Sequence, residues 1–190
     1  MQYRQLFNRT KDIISSPHTE WEKIKAEETN SSQVVNDFVL PMAGLCALSA
    51  FLGILFQGAG FEKALVSVII SLGKTFGGVY LTFFALQESA KYFDLQRNKL
   101  SFMQVAGYTY VVIFVIDIIV NLIPELFFLN LLKIYVFYIA WEAAEVIVKI
   151  DDKRKVTYVI IISAIVLASA FGIEAILSTL IQANSEIVAA

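Results

Sequence analysis

Apolar residues gather along this chain into five long runs, 38–56, 64–86, 102–123, 125–148 and 156–180, separated by short polar stretches. A helix needs about 20 mostly apolar residues to cross a bilayer core roughly 30 Å thick, and each run is close to that length. Lipid offers no partner to an exposed peptide group, so a spanning segment of this kind folds as a helix that satisfies its own backbone. The pattern predicts an all-α polytopic membrane protein: a bundle of five transmembrane helices over residues 37–190, preceded by a cytoplasmic helical segment at 1–36. The third and fourth runs are divided only by "NLIPEL", where Asn121 and Pro124 are turn and helix-start residues. The competing reading of that pair is one buried hairpin that does not fully cross.

Ahead of the first run, Tyr3, Leu6, Phe7, Thr10, Ile13 and Ile14 recur at helical spacing, with Arg4, Lys11 and Asp12 elsewhere around the wheel. This is the pattern of a short amphipathic helix lying on a membrane surface. Ser15-Ser16-Pro17 ends it. Ser16 is placed to cap a second helix with Pro17 in its first turn, and "PHTEWEKIKAEE" then sets Trp21 and Ile24 on one side. Two readings stand: both helices pack against the ends of the spans, or Pro17, Trp21 and Ile24 mark a docking surface for a protein partner.

Composition supports the membrane assignment, with 57% hydrophobic residues and a mean hydropathy of +0.67 against roughly 45–50% apolar residues in soluble domains. Charge then orients the chain. Lys and Arg number five before the first run (Arg4, Arg9, Lys11, Lys23, Lys25), three between the second and third (Lys91, Arg97, Lys99) and four between the fourth and fifth (Lys149, Lys153, Arg154, Lys155). The opposite side has Lys63 alone. Basic residues collect on the cytoplasmic side of short loops, so the N-terminus is expected inside and the C-terminus outside, with membrane lipid as the surroundings. A net charge of −2 gives no long-range attraction for nucleic acid. The apolar runs begin too far from the start for a cleaved targeting segment to be expected.

Candidate chemistry is sparse. Gly73-Lys74-Thr75 ends like a phosphate-binding loop, but such a loop needs a glycine five residues earlier, where this chain has Val68. His18 is the sole histidine and Cys46 the sole cysteine; a histidine-based zinc cluster or a Ser-His pair cannot be assembled, no disulfide forms within the chain, and no cofactor motif is present. His18 is expected to be solvated. Glu142 and Glu145 share a helix face near the cytoplasmic end of the fourth run, where carboxylates reach water. Gly73, Gly77 and Gly78 in the second run, and more weakly Ser49 with Gly53 in the first, allow close helix approach, expected inside the bundle; a homo-oligomer stays open. Lys74, Asp117, Lys133 and Glu174 put one ionisable residue in each of four spans at similar depth, with charges that cancel. Charges at that depth face the bundle interior and find partners. Lys74 is expected to pair with Asp117, with Lys133 and Glu174 forming a second pair or completing one network.

The succession of "SPHTEWEKI", "FVLPMAG" opening the first span, five spans, and "LKIYVFYIAWEAAEVIVKIDDKRKVTYVII" across the fourth and fifth resembles the Yip family of Ypt/Rab-interacting membrane proteins and their prokaryotic relatives. Pro17, Trp21 and Ile24 match its Pro-x-x-x-Trp-x-x-Ile pattern, Pro41 a proline opening the first span, and Tyr135 and Tyr138 its tyrosine-rich helix. The Asp-Leu-Tyr-Gly-Pro and Gly-Thr-Pro-rich motifs of eukaryotic members are absent, and "AWEAAE" stands instead, so the prokaryotic branch is the nearer one. The resemblance implies a non-enzymatic interaction or scaffold protein of membrane organisation or trafficking, in a prokaryotic inner membrane, with a protein partner at the cytoplasmic face. The alternative is a small transporter or channel component using the intramembrane charges. Transport requires a hydrated polar path, whereas a scaffold requires only a paired cluster.

Overall fold

The computed structural model describes residues 3–189, and the side chains of residues 3–177 and Thr179. Among them all regular structure is helical. Helix α1 covers Tyr3–Ser15 and α2 covers Pro17–Ala26; α3 runs Ser31–Phe56, α4 Phe61–Ser89 and α5 Lys99–Leu122. A 3-10 helix, Pro124–Tyr135, leads into α6, Val136–Ala143, and a π-turn, Ala144–Val148; α7 is Asp152–Ala189. Four of these, α3, α4, α5 and the described part of α7, are long and apolar enough to cross a membrane.

The sequence explains where these helices begin and change pitch. Asn30 opens α3 with a reciprocal capping box: its side chain accepts from Gln33 N–H at 2.9 Å while its own N–H donates to Gln33 Oε1 at 2.9 Å. The first apolar run is therefore extended by a polar turn, and residues 31–36, grouped with the N-terminal segment by composition, belong to the first long helix. Pro41 lacks the N–H that a regular helix would give to the carbonyl of residue 37. The five residues before Leu40 widen into a π-turn, with Leu40 N–H bonding Val35. Asn98 caps α5, accepting from Leu100 and Ser101 N–H groups.

The fourth apolar run departs from expectation. It is not one α-helix but changes winding twice between residues 124 and 148. Pro124 starts it without a donor, and the π-turn at its other end closes on Lys149 in the left-handed conformation (φ 55°), with Ile150 N–H reaching Ala144 at 3.3 Å. The long passes alternate in direction. Helices α1 and α2 lie across one end, here the proximal end, where Arg154 bonds Asp94 at 2.7 Å and Phe93 meets Tyr158 edge to face at 5.2 Å. At the distal end Asn121 Nδ2 donates to Ser49 Oγ at 3.1 Å.

The interior is aromatic and the outside apolar, as a lipid-embedded bundle requires. An aromatic column joins Trp21, Tyr108, Phe38, Phe114 and Tyr110 by successive ring distances of 6.0, 4.7, 6.3 and 5.7 Å. Outward, Leu48, Ile69, Phe84, Leu131, Ile160 and Ile176 are all exposed, a distribution soluble domains avoid. The expected amphipathic face of α1 divides: Leu6 and Ile13 are buried, while Tyr3 and Phe7 are 90% and 68% exposed.

Glycines set the closest approaches, all within the bundle. A Cβ on Gly73 would lie 2.7 Å from Leu177 and one on Gly77 3.0 Å from Ile173, so the G-x-x-x-G face of α4 meets α7. Gly78 leaves room for the Tyr110 hydroxyl, and Gly53 for the backbone carbonyl of Asn121. The obstacle at Gly53 is backbone and cannot swing aside. Gly53→Ala is expected to cost roughly 1–3 kcal/mol and lower the melting temperature in detergent, whereas Gly44→Ala, with open space around it, is expected to leave it unchanged or raised.

Candidate functional site

The second apolar run carries Lys74 well inside α4, where the phosphate-loop look-alike is plain helix. Its ammonium bonds two carboxylates, Asp117 Oδ2 on α5 at 2.8 Å and Glu174 Oε2 on α7 at 2.7 Å. Asp117 gives its other oxygen to Lys133, Oδ1 to Nζ at 2.7 Å. The four charges thus form one alternating chain, Lys133–Asp117–Lys74–Glu174, rather than two separate pairs. The 3-10 winding prepares the Lys133 end: at three residues per turn, positions i and i+3 eclipse, so Phe127, Asn130 and Lys133 stand in one row. Lys133 is 2% exposed and its ammonium sits 5.0 Å from the Phe171 ring centre, a cation–π contact. The Glu174 side chain, at the other end, is 49% exposed.

Open space lies on both flanks of this chain. A cavity of about 410 Å³ is lined by all four charged residues with Asn121 and Asn130, and a second of about 160 Å³ shares Lys74, Asp117, Asn121 and Glu174. Asn121, read from sequence only as a turn residue, ties the chain to α3 through Ser49 and, at 3.4 Å, the Cys46 carbonyl. Asn121 did not stand out because an amide close before a proline reads as a turn, and Asn130 because a lone amide in an apolar run carries no pattern. Among the described residues no group of three His, Cys, Asp or Glu converges to hold a metal ion.

The proximal end holds the other predicted residues. Pro17, Trp21 and Ile24 are all buried on one side of α2. Trp21 Nε1–H donates to the Ile139 carbonyl at 3.2 Å, and Gln104 Nε2 to the Ile24 carbonyl at 3.2 Å. Lys25 donates to Val146 at 2.7 Å, satisfying a carbonyl at the end of the fourth run, and Tyr135 OH donates to Ile14 at 2.9 Å. Glu20, buried, binds Arg9 at 2.7 Å and Lys23 at 2.8 Å, fastening α1 to α2. Ser16 makes no side-chain cap, contrary to its expected role; Pro17 at the first position needs none for its own missing N–H. His18 is exposed, as expected, but it is not free: its Nδ1 lies 2.8 Å from Glu142 Oε2. Glu145 pairs with Lys155, which in turn lies 4.3 Å over the Trp141 ring.

An all-helical bundle with an apolar exterior, a buried neutral charge chain and a helical layer fastened across one end is the build of a polytopic membrane protein. Residues 11–173 match the family model described as the Yip1 domain. The chain belongs to the Yip1 family. Comparison with curated proteins and with solved structures returns no match in either case.

Two predictions arise from these contacts. Asp117 serves both lysines, but Lys74 also has Glu174, so removing Asp117 strands Lys133 as a buried cation. Asp117→Leu, even combined with Lys74→Met, is therefore expected to stay destabilised by roughly 3–5 kcal/mol, the usual cost of breaking a buried pair. Lys74→Met with Glu174→Gln keeps the Lys133–Asp117 pair and restores neutrality. It is expected to recover much of the loss caused by Lys74→Met alone, as read by thermal unfolding in detergent.

The second concerns His18, whose hydrogen bond to Glu142 holds its pKa above the ordinary 6.5. A raised folded-state value means that the docked layer binds the proton more tightly than the undocked one. The contribution is present in full below about pH 6.5 and is lost as pH rises through the raised value. Amide protection in residues 17–26, with the intrinsic rise of exchange with pH divided out, is expected to fall over that interval, and His18→Asn to abolish that fall.

Proposed function

We propose that the chain spans the membrane five times, N-terminus cytoplasmic and C-terminus outside, and acts without catalysis as an interaction protein whose working surface is the proximal end. The fifth crossing in this count is the fourth apolar run. Beyond the kink at Leu126, residues 127–135 at about 2.0 Å rise and 136–148 at about 1.5 Å give roughly 38 Å, more than a core of about 30 Å requires. Twelve basic residues against one across the two ends support the orientation.

The observation carrying the interaction reading is the way α2 is held. One face, Pro17, Trp21 and Ile24, is committed to the bundle, while Thr19, Glu22 and Lys23 remain exposed. A short peptide of this length is marginal as an isolated helix; pinned at Ile139, Val146 and Gln104 it becomes a prefolded platform, and binding to it costs little ordering entropy. The second reading, transport, is favoured by one observation: cavities of about 410 and 160 Å³ on either side of the charge chain.

Labelling and cross-linking test this reading. The native Cys46 is buried, so cysteines introduced at Lys63, Arg97 and Lys153 report alone. Reaction from outside is expected only at Lys63; outside reaction at Lys153 overturns the five-span arrangement. A photo-cross-linker at Glu22 in cells is expected to capture a discrete protein that one at Lys63 does not and that Trp21→Ala loses. Absence of such a product, together with a solute or proton flux in liposomes that Lys74→Met abolishes, replaces the interaction reading by transport.

A further inference from the structure

The charge chain has two incompletely used ends, and both line the same cavity of about 410 Å³. An ammonium has three donors; among the described residues Lys133 has one assigned hydrogen bond, to Asp117 Oδ1. A carboxylate has two oxygens; Glu174 receives Lys74 on Oε2, and its side chain is half exposed. The two inner members, Lys74 and Asp117, are occupied with each other and with the ends. One wall of the cavity therefore presents a cationic end and an anionic end. Asn130, in the same 3-10 row as Lys133, gives one amide N–H to Phe127 at 2.9 Å, and its second amide hydrogen is a further donor by chemistry.

Electroneutrality selects the ligand. The four residues carry two positive and two negative charges. A simple anion or cation added here would leave a net charge at membrane depth, which is costly. A molecule carrying one charge of each sign leaves the sum at zero and joins the two ends of the chain into a ring. The volume is about a dozen times that of one water, at about 30 Å³ each, enough for a polar headgroup. Next to the lining residues, Leu131, Leu132 and Ile176 are exposed and apolar, the surroundings of an acyl chain.

We propose that this cavity binds a zwitterion with a primary ammonium and a phosphate, the phosphoethanolamine moiety: phosphate against Lys133 and Asn130, ammonium against Glu174. This site is independent of any protein bound at the proximal end. The same chemistry comes from phosphatidylethanolamine in the bilayer or from free glycerophosphoethanolamine, whose phosphodiester likewise carries one negative charge.

The test uses the full chain, delipidated in detergent, with binding read by native mass spectrometry and thermal shift. The ligands are phosphatidylethanolamine, phosphatidylglycerol, which keeps the phosphate but lacks the amine, and glycerophosphoethanolamine. Phosphatidylethanolamine is expected to bind about tenfold more tightly than phosphatidylglycerol, the effect of one charge-assisted hydrogen bond. Glu174→Gln is expected to erase or reverse that preference, weakening phosphatidylethanolamine by loss of the ammonium's partner and, because the chain of charges is then net positive, not weakening the anionic phosphatidylglycerol. Asn130→Ala, a change at a half-buried surface side chain, is expected to weaken both lipids alike, and reads the site even if Glu174→Gln folds poorly. Competition by glycerophosphoethanolamine places recognition in the headgroup alone; binding of the lipid without such competition places it in headgroup and chain together. Equal binding of the two lipids by the unchanged protein, a preference that survives Glu174→Gln, or indifference of both lipids to Asn130→Ala overturns the proposal.

Discussion

A single carboxylate, that of Asp117, holds two lysines from two other passes. Each lysine alone would be a stranded cation among apolar side chains, and the carboxylate alone a stranded anion. Their joint presence sets the register of three elements at once: α4 must present Lys74, α5 Asp117 and the 3-10 segment Lys133 at one level. The weakest member, half-exposed Glu174, brings α7 to the same point and makes the sum neutral. Glycine contacts between α4 and α7 then close the seam just past it.

The two ends of the bundle use different physics. Around the charge chain the passes leave space, lined by amides and ions. Toward the proximal end the interior fills with rings, from Tyr110 through Phe114, Phe38 and Tyr108 to Trp21 of the docked layer. Tyr110 ends that column with a hydroxyl bonded to Ser169 and to the Val166 carbonyl at 3.3 Å. The N-terminal layer is thus the last member of the aromatic core and not an appendage to it.

How much of this could be read beforehand follows from what each signal measures. Apolar run length reports burial in lipid, so the helical architecture and four of its long helices were legible. It says nothing of winding: Pro124 marked a start, but the 3-10 course of residues 124–135 depends on packing against α5. Charge counting placed Lys74, Asp117, Lys133 and Glu174 at one level and paired Lys74 with Asp117, but pairing is decided by rotation about each axis, and only the structure chose one network through Asp117 over a second, separate pair. Spacing put Trp21 and Ile24 on one side of α2 but left open whether that side packs on the bundle or meets a partner; it packs on the bundle. His18 and Glu142 lie more than a hundred residues apart, and no local pattern links them. Ser16 had the chemistry of a cap and no geometry to use it.

The 3-10 segment has a mechanical consequence. Beyond the kink at Leu126 (φ −85°, ψ 20°), residues 127–135 extend about 18 Å wound this way, against about 14 Å as an α-helix, so the stretch is held about 4 Å longer than the more compact winding. Rewinding would shorten it and turn Lys133 by about 60° relative to Asn130, away from Asp117. The length of this element is therefore set by a charge pair as well as by its own backbone bonds. In the proposed five-span arrangement, bilayer thickness acts on this element through hydrophobic mismatch: a change in thickness bears on the Lys133–Asp117 contact, and the element becomes a strut whose elasticity is partly electrostatic.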